Sequence, residues 1–432
     1  MSGPRGSLVG QQLRVATTRF AHGGHAVARD DDGRVVFVRH ALPAEVVQVR
    51  VTRGKAGDRF VFADVEAVET ANPHRVTPPC QYAGPGGCGG CDLQHADLGY
   101  QRELKAQVVA EQLSRLAGIE RDVLVEPVPG DVDGLRWRTR VEFAVDREGR
   151  AGLRPFHTRD VLPIDDCLIA AEPIIDSGVL RRRWPAQRAV DVIAPSGSGS
   201  AADSESDPGS DPGSHPGSPA AVLVPVPGGV KQAPEVTEHV ASGPWSGDIT
   251  VDARGFWQVH PGAASTFLDH VLGELDPQPG ERALDLYAGV GLFARALADL
   301  VGDEGAVLAV ESDERAVVAG ERDTARVEQL EWRAERVEQA LEPLIDGGDE
   351  VDLVVLDPPR AGAGAPVIRQ IAQLSPRAIA YVACDPAALA RDLATLADAG
   401  YELDTLRAFD AFPMTHHVEC IAICRPSSAI RG

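Results

Sequence analysis

Through the first seventy residues apolar and polar positions alternate with a period of two, and turn-forming groups interrupt the alternation at short intervals. Ala26-Val-Ala-Arg gives way to Asp-Asp-Asp-Gly, Val35-Val-Phe-Val-Arg to Ala-Leu-Pro, and Val46-Val-Gln-Val-Arg-Val follows. Short strands at this spacing predict a small β-barrel. Arg39, Arg50, Arg53, Lys55 and Arg59 interleave with it, which suits an RNA-binding face or a plain scaffold equally. Then the period lengthens. From Asp97 to Gly118, Leu98, Leu104, Val108, Val109, Leu113 and Leu116 fall near helical spacing, so an amphipathic helix is expected. Arg136-Trp-Arg-Thr-Arg-Val-Glu-Phe-Ala-Val, a turn at Arg147-Glu-Gly and Ala151-Gly-Leu-Arg-Pro-Phe predict a basic hairpin. Arg136, Arg138, Arg140 and Trp137 would meet a phosphate backbone and a base there; otherwise Trp137 would lie in a core beneath a solvated strand face.

Between Ala194 and Pro219 the chain is a run of Ser, Gly, Asp and Pro with nothing to fill a core, and a disordered acidic insertion is expected. After Asp248 strand and helix patterns alternate. Strands are expected at 282–287, 307–311, 351–356, 378–383 and 418–424, with helical segments between them. Strict alternation predicts a parallel α/β sheet whose ligands bind at the carboxyl ends of the strands.

A chain of 432 residues, 44% hydrophobic and 25% charged, is globular in composition and long enough for two or three domains. No apolar run approaches the roughly 20 residues that span a bilayer. Neither does the beginning of the sequence read as a signal peptide, so a cytoplasmic protein without a membrane partner is expected. The net charge of −22 is uneven. Residues 1–190 hold 26 Lys and Arg against 25 Asp and Glu, a net of +1, and the remainder holds 16 against 39, a net of −23. An RNA-binding first half and an acidic catalytic half fit this division.

Candidate chemistry falls mainly at the ends of the predicted strands. Cys384 closes the run Ala-Ile-Ala-Tyr-Val-Ala, and Asp385-Pro386 opens a helix behind it. A helix N-terminus is expected to lower the thiol pKa and make Cys384 a nucleophile; a buried small residue is the plainer reading. Asp285-Leu-Tyr-Ala-Gly-Val-Gly is a glycine turn with Glu311 ending the next strand, an arrangement shared by NAD and S-adenosylmethionine (SAM) enzymes. Asp357-Pro-Pro-Arg-Ala-Gly is a stiff loop presenting Asp357, and Glu419 stands among apolar residues in the last strand, where burial would make it a base. Cys80, Cys88 and Cys91, with Cys167 far downstream, suggest either zinc or an iron-sulfur cluster.

Taken in order, Phe-Trp-Gln, Asp-Leu-Tyr-x-Gly-x-Gly, Glu311, Asp-Pro-Pro-Arg-x-Gly, Tyr-Val-x-Cys-x-Pro and Phe-Pro-x-Thr-His-His-Val-Glu resemble the SAM-dependent RNA uracil-5 methyltransferases. The resemblance spans nearly the whole chain apart from the insertion. It implies a multidomain protein: a TRAM-like, OB-like RNA-binding β-barrel over 1–72, a central α+β domain over 73–250 interrupted at about 194–219, and a C-terminal α/β Rossmann-like class I methyltransferase over 251–432. By matching positions it implies Cys384 as nucleophile, Glu419 as proton acceptor, Gln258, Tyr287, Glu311 and Asp357 around SAM, and Cys80, Cys88, Cys91 and Cys167 around a [4Fe-4S] cluster. The expected activity is methylation of uridine C5 in rRNA or tRNA through a Cys–C6 adduct, by a monomer. The chain departs from the usual family pattern at His260, Leu292, Ala383, Asp385 and Met414 and in its longer first cysteine spacing. Two other readings are an RNA-binding or chaperone protein with a decayed methyltransferase domain, and a redox or radical-SAM enzyme, whose usual cysteine spacing is absent here.

Overall fold

The computed structural model describes residues 6–197, 220–226 and 233–427. At its amino end β1 (Gln12–Ala21), β2 (His25–Arg29), β3 (Val35–Arg39), β4 (Val46–Arg53) and β5 (Phe60–Thr70) close into a barrel in the order β1-β2-β3-β5-β4. Alternation explains the closure: Val15, Val36, Val38, Val47, Val49, Val51 and Val61 all turn inward and are buried. Helix α1 (Leu98–Gln112) starts at Asp97, whose carboxylate accepts the Tyr100 N–H at 2.8 Å, and runs through a wider turn at Leu113–Ala117 to left-handed Gly118. Leu104, Val108, Val109 and Leu113 are buried as the periodicity requires, and Leu116 is exposed. Gln101 and Lys105 are buried on the same helix.

After β6 (Val125–Pro127) comes a five-stranded sheet in the order β11-β10-β7-β8-β9, built from β7 (Arg140–Val145), β8 (Ala151–Leu153), β9 (Leu162–Pro163), β10 (Ala189–Ile193) and β11 (Val222–Val226), with the short α2 (Glu172–Asp176) beside it. The β7–β8 hairpin lies where the sequence pattern predicts it, but its basic face is not free for RNA. Trp137 is fully buried in the core, Arg136 forks onto Asp166 and Arg140 pairs with Glu238. Arg138 is buried with its Nε donating to the Arg140 carbonyl. Of the expected insertion, 198–219 lies outside the described residues. Ala194, at its start, is buried, and the Ser196 hydroxyl donates to Glu238, so order extends past the predicted boundary. The hairpin β12 (Glu235–Ala241) and β13 (Ser246–Asp252) follows.

The carboxyl half is a layered α/β unit: α3 (Ala263–Leu275), β14 (Arg282–Leu286), α4 (Leu292–Val301), β15 (Ala306–Glu311), α5 (Glu314–Asp323), β16 (Leu330–Ala334), α6 (Val337–Gly347), β17 (Leu353–Leu356), α7 (Ala365–Gln373), β18 (Ala378–Ala383), α8 (Pro386–Asp398), β19 (Tyr401–Asp410) and β20 (Glu419–Pro426). Its sheet runs β16-β15-β14-β17-β18-β20-β19-β6. Strands β14 to β18 are parallel, but β20 is antiparallel to both β18 and β19, which corrects the all-parallel expectation. The cause is β19. It follows α8 as a strand of its own and feeds β20 through a hairpin connection, so β20 enters from the opposite edge. Helices cover both faces, with Phe267, Leu297, Val355, Val382, Ile421 and Ile423 in one core and Leu286, Leu356, Tyr381, Leu389, Cys420 and Ala422 in the other. Among the described residues no helix is long and apolar enough to cross a membrane.

Candidate active site

The reversal of β20 brings the site together. In an all-parallel sheet Glu419, at the start of its strand, would lie on the far edge from Cys384 at the end of β18. The antiparallel register pairs Ala383 with Cys420, so Cys384 and Glu419 face each other at one edge. Leu356 pairs with Tyr381 in β18 and with Leu286 in β14, so Asp357 and Tyr287 follow at that edge too. Burial raises the Cys384 thiol to about 12, helped by the charges of Glu419 and Asp357; Arg360 and the residue's own backbone act the other way. The helix N-terminus is therefore outweighed here, contrary to the lowered pKa expected from sequence. Glu419 is pushed well up by burial and by Asp357, with Arg360 opposing, and burial raises Asp357 as well.

Arg360 is thus the cation serving this group of acids, and its guanidinium lies 3.5 Å from His417 Nε2. In the sequence it stands within Asp-Pro-Pro-Arg with no role assigned, although an arginine three residues beyond a strand-end carboxylate is the available signal. Asp392 escapes notice too, hidden in the Ala/Leu pattern of α8. Its Oδ2 accepts from the Tyr381 hydroxyl at 2.7 Å, Ala363 N at 2.8 Å and Gly364 N at 3.2 Å, tying down the loop that carries Asp357 and Arg360.

Farther along the same edge lies the glycine turn. Gly289 and Gly291 have φ of 56° and 86°; a Cβ on Gly289 would meet nothing within 4 Å, whereas one on Gly291 would strike Trp332 at 2.6 Å. Glu311 accepts the Gly289 N–H at 3.1 Å, and Asp285 accepts Ala294 N–H at 2.7 Å while its other oxygen is buried without a partner. Burial lifts Asp285 to about 8. Tyr287 is half-buried with φ of 63°. Gln258 is half-buried beside Trp257, which shares a core with Val290 and Leu292. These groups fit a cationic nucleoside ligand.

The opposite rim is formed by the barrel. His22 Nε2 is 2.9 Å from Asp385 Oδ2, while Oδ1 of the same carboxylate caps α8 at Ala388 N. A Cβ on Gly24, whose φ is 81°, would lie 3.0 Å from the His416 ring, so glycine suits the hairpin tip where it meets the loop before Glu419. From the neighbouring His25 an aromatic track crosses the barrel. His25 and Phe62 lie 5.3 Å apart, Phe37 and Phe62 stack at 5.3 Å, Phe60 contacts both phenylalanines at 5.7 Å, and the Arg53 guanidinium sits 3.8 Å over Phe62. Phe60 is half exposed. The sequence pattern draws attention to the arginines of this barrel and passes over its phenylalanines. Of the departures, His260 is turned inward and stacks on Trp137, Leu292 is buried at the start of α4, and Met414 is buried with φ of 67°.

Cys80, Cys88, Cys91 and Cys167 are all free thiols and line a single small cavity. Gly90 N–H donates to Cys88 Sγ at 3.3 Å, and Ala170 and Ile169 N–H groups face Cys167. Among the described residues no three His, Cys, Asp or Glu side chains converge closely enough to hold a single metal ion.

A β-barrel joined to a glycine-turn α/β sheet with an acid, a thiol and a second acid at its carboxyl edge has the architecture of a class I methyltransferase with an added barrel. Family comparisons agree. Residues 254–425 match the tRNA (uracil-5-)-methyltransferase family and 6–65 the TRAM domain. An uncharacterized RNA methyltransferase of Streptomyces coelicolor is 47% identical over 98% of this chain and 94% of its own length. The 23S rRNA (uracil(1939)-C(5))-methyltransferase RlmD of Pseudomonas putida is 32% identical over 96% of this chain and 94% of its own. The fold is that of Pyrococcus abyssi tRNA (uracil-54, C5)-methyltransferase, solved with S-adenosyl-L-homocysteine, at a TM-score of 0.65 and 21% identity over 95% of this chain and 99% of that one. The chain belongs to the RNA uracil-5-methyltransferase family.

Proposed function

We propose that this protein methylates C5 of one uridine in RNA through a covalent intermediate on Cys384. The observation that carries the reading is the register that sets Cys384 opposite Glu419, beside Asp357. Uracil C5 is a weak nucleophile. Addition of the Cys384 thiolate to C6 pushes the ring electrons onto C5, which would then take the methyl group that bound SAM supplies as an electrophile, the methyl–sulfur bond breaking with its electron pair left on the departing neutral thioether. Glu419 takes the C5 proton; the C–H pair re-forms the C5–C6 double bond, the C6–S bond breaks and the thiolate leaves. Arg360 balances the charge shared among these groups. Gln258, Tyr287, Glu311 and Asp357 hold SAM, with Glu311 bonded to the glycine turn and Asp285 beneath it. The base enters flipped from its stack.

The barrel's aromatic track supports single-stranded RNA as the substrate form, because base stacking on aromatics with arginine nearby tolerates any sequence. The named activity of the Pseudomonas relative favours 23S rRNA over tRNA as the substrate to test first, in the cytoplasm and by a monomer. Four free thiols around one small cavity support a [4Fe-4S] cluster as the group they would hold. Backbone N–H groups at Cys88 and Cys167 would stabilise the bound thiolates. The three-part division at about 72 and 250 is proposed on the same grounds. The test is methyl transfer from tritiated SAM to rRNA and tRNA transcripts: label at uridine C5, lost in Cys384→Ala, is expected, and transfer that survives this substitution refutes the reading.

A further inference from the structure

The eight residues from Ala411 to Val418 connect β19 to β20 and run directly into Glu419. Their course is unusual, with Met414 at φ 67°, a left-handed conformation costly for a residue with a Cβ. Bonds from outside the catalytic sheet hold it. Gln101, buried in α1, accepts the Met414 N–H at 2.9 Å through Oε1; its Nε2 donates to the Ala96 carbonyl at 2.9 Å and to Met414 Sδ at 3.4 Å. One turn on, Lys105 is wholly buried; its ammonium pairs with Asp410 and donates to the Phe412 carbonyl at 3.1 Å. Asp410 follows Phe409, the cross-strand partner of Glu419. Asp92 and Leu93 N–H groups close the other side on the Met414 carbonyl, each at 3.0 Å.

A helix that needed only to pack would place apolar residues at these two positions, since burying an amide and an ammonium costs free energy unless each is bonded. Both are bonded to one short loop, more than three hundred residues away in sequence. Resting on the covalent reading above, we infer that Gln101 and Lys105 are positioning residues for proton removal: they fix the loop that delivers Glu419 to uridine C5. Neither bonds to Cys384 or to the residues proposed to hold SAM. Their loss therefore slows the second half of the reaction, in which Glu419 takes the C5 proton and the C6–S bond breaks, more than thiolate addition or methyl transfer.

This makes a signature that simple loss of structure cannot give. In Gln101→Leu, turnover on RNA falls roughly 10- to 100-fold, the cost of a small misplacement of a reacting group. SAM affinity stays within about twofold, and the methylated, denaturant-stable protein–RNA adduct present at steady state rises several-fold. Gln101→Asn, which keeps a polar group but falls a methylene short of Met414, shows the same pattern and guards against misfolding of the first variant. Adduct and product falling in parallel, or SAM affinity falling with them, overturns the positioning role alone, provided the unsubstituted enzyme forms an adduct with 5-fluorouridine RNA. Absence of that adduct overturns the covalent reading and this inference together.

Discussion

At Cys384 the dipole of α8 and the charge of Arg360 favour thiolate, while burial and two neighbouring carboxylates oppose it, and the opposition wins in the free site. With the thiol near 12, the thiolate fraction grows about tenfold per pH unit across the working range. The rate of adduct formation with 5-fluorouridine RNA is therefore expected to climb steadily from about pH 7 to 9, as quench-flow would record; a plateau beginning below about pH 8 would show that the thiol in the reacting complex ionises far more readily than its burial in the free site implies. Asp285 gives a stability test. Folded, it keeps its proton to about pH 8; unfolded, it releases it near about 3.9. Between those values the unfolded chain binds fewer protons, so this group lowers stability as pH rises. An asparagine at this position cannot ionise, so thermal melting of Asp285→Asn against the parent should show an advantage that grows from about pH 4 to 8. That Cys384, Asp357 and Glu419 belong to strands of one sheet was legible in the sequence through motif order. Their pKa values were not, because burial and through-space charge depend on the packing of three strands.

Among the elements, the β19–β20 hairpin decides whether a site exists. Its reversal was invisible in the pattern because β19, Tyr-Glu-Leu-Asp-Thr-Leu-Arg-Ala-Phe-Asp, mixes charges into a half-exposed strand. Similar reasons hid β16, with its exposed Glu331, and the three-residue β6. Apart from α2 and α6, which were not expected, the helices and inner strands, apolar and regular, were legible to within a few residues. Lys105→Met leaves Asp410 charged and unpaired in the interior, and the expected loss is about 3–5 kcal/mol by denaturant unfolding. At the glycine turn, Gly291→Ala must place a Cβ against Trp332 with φ at 86°; a melting temperature lowered by several degrees, with SAM binding weakened by calorimetry, is expected.

For the molecule as a whole, the acidic catalytic half contrasts with a barrel whose exposed face offers rings and arginine. If bases stack there, Phe60→Ala and Phe62→Ala each cost about 1–3 kcal/mol in RNA affinity, read by filter binding, with SAM affinity unchanged. The overall plan of barrel, middle segment and α/β unit was legible from changes in period and charge. What was not legible is how closely the parts interlock: His22 reaches Asp385 next to Cys384, α1 holds the loop before Glu419, and β6 extends the carboxyl-half sheet. The proposed reaction rests on one sulfur. RNA containing 5-fluorouridine at the target has no C5 proton for Glu419 to take, so the enzyme should stop as a methylated adduct. Peptide mass spectrometry of that species should find the nucleotide and the transferred methyl on Cys384; attachment to another cysteine, or turnover with no adduct at all, would contradict the account.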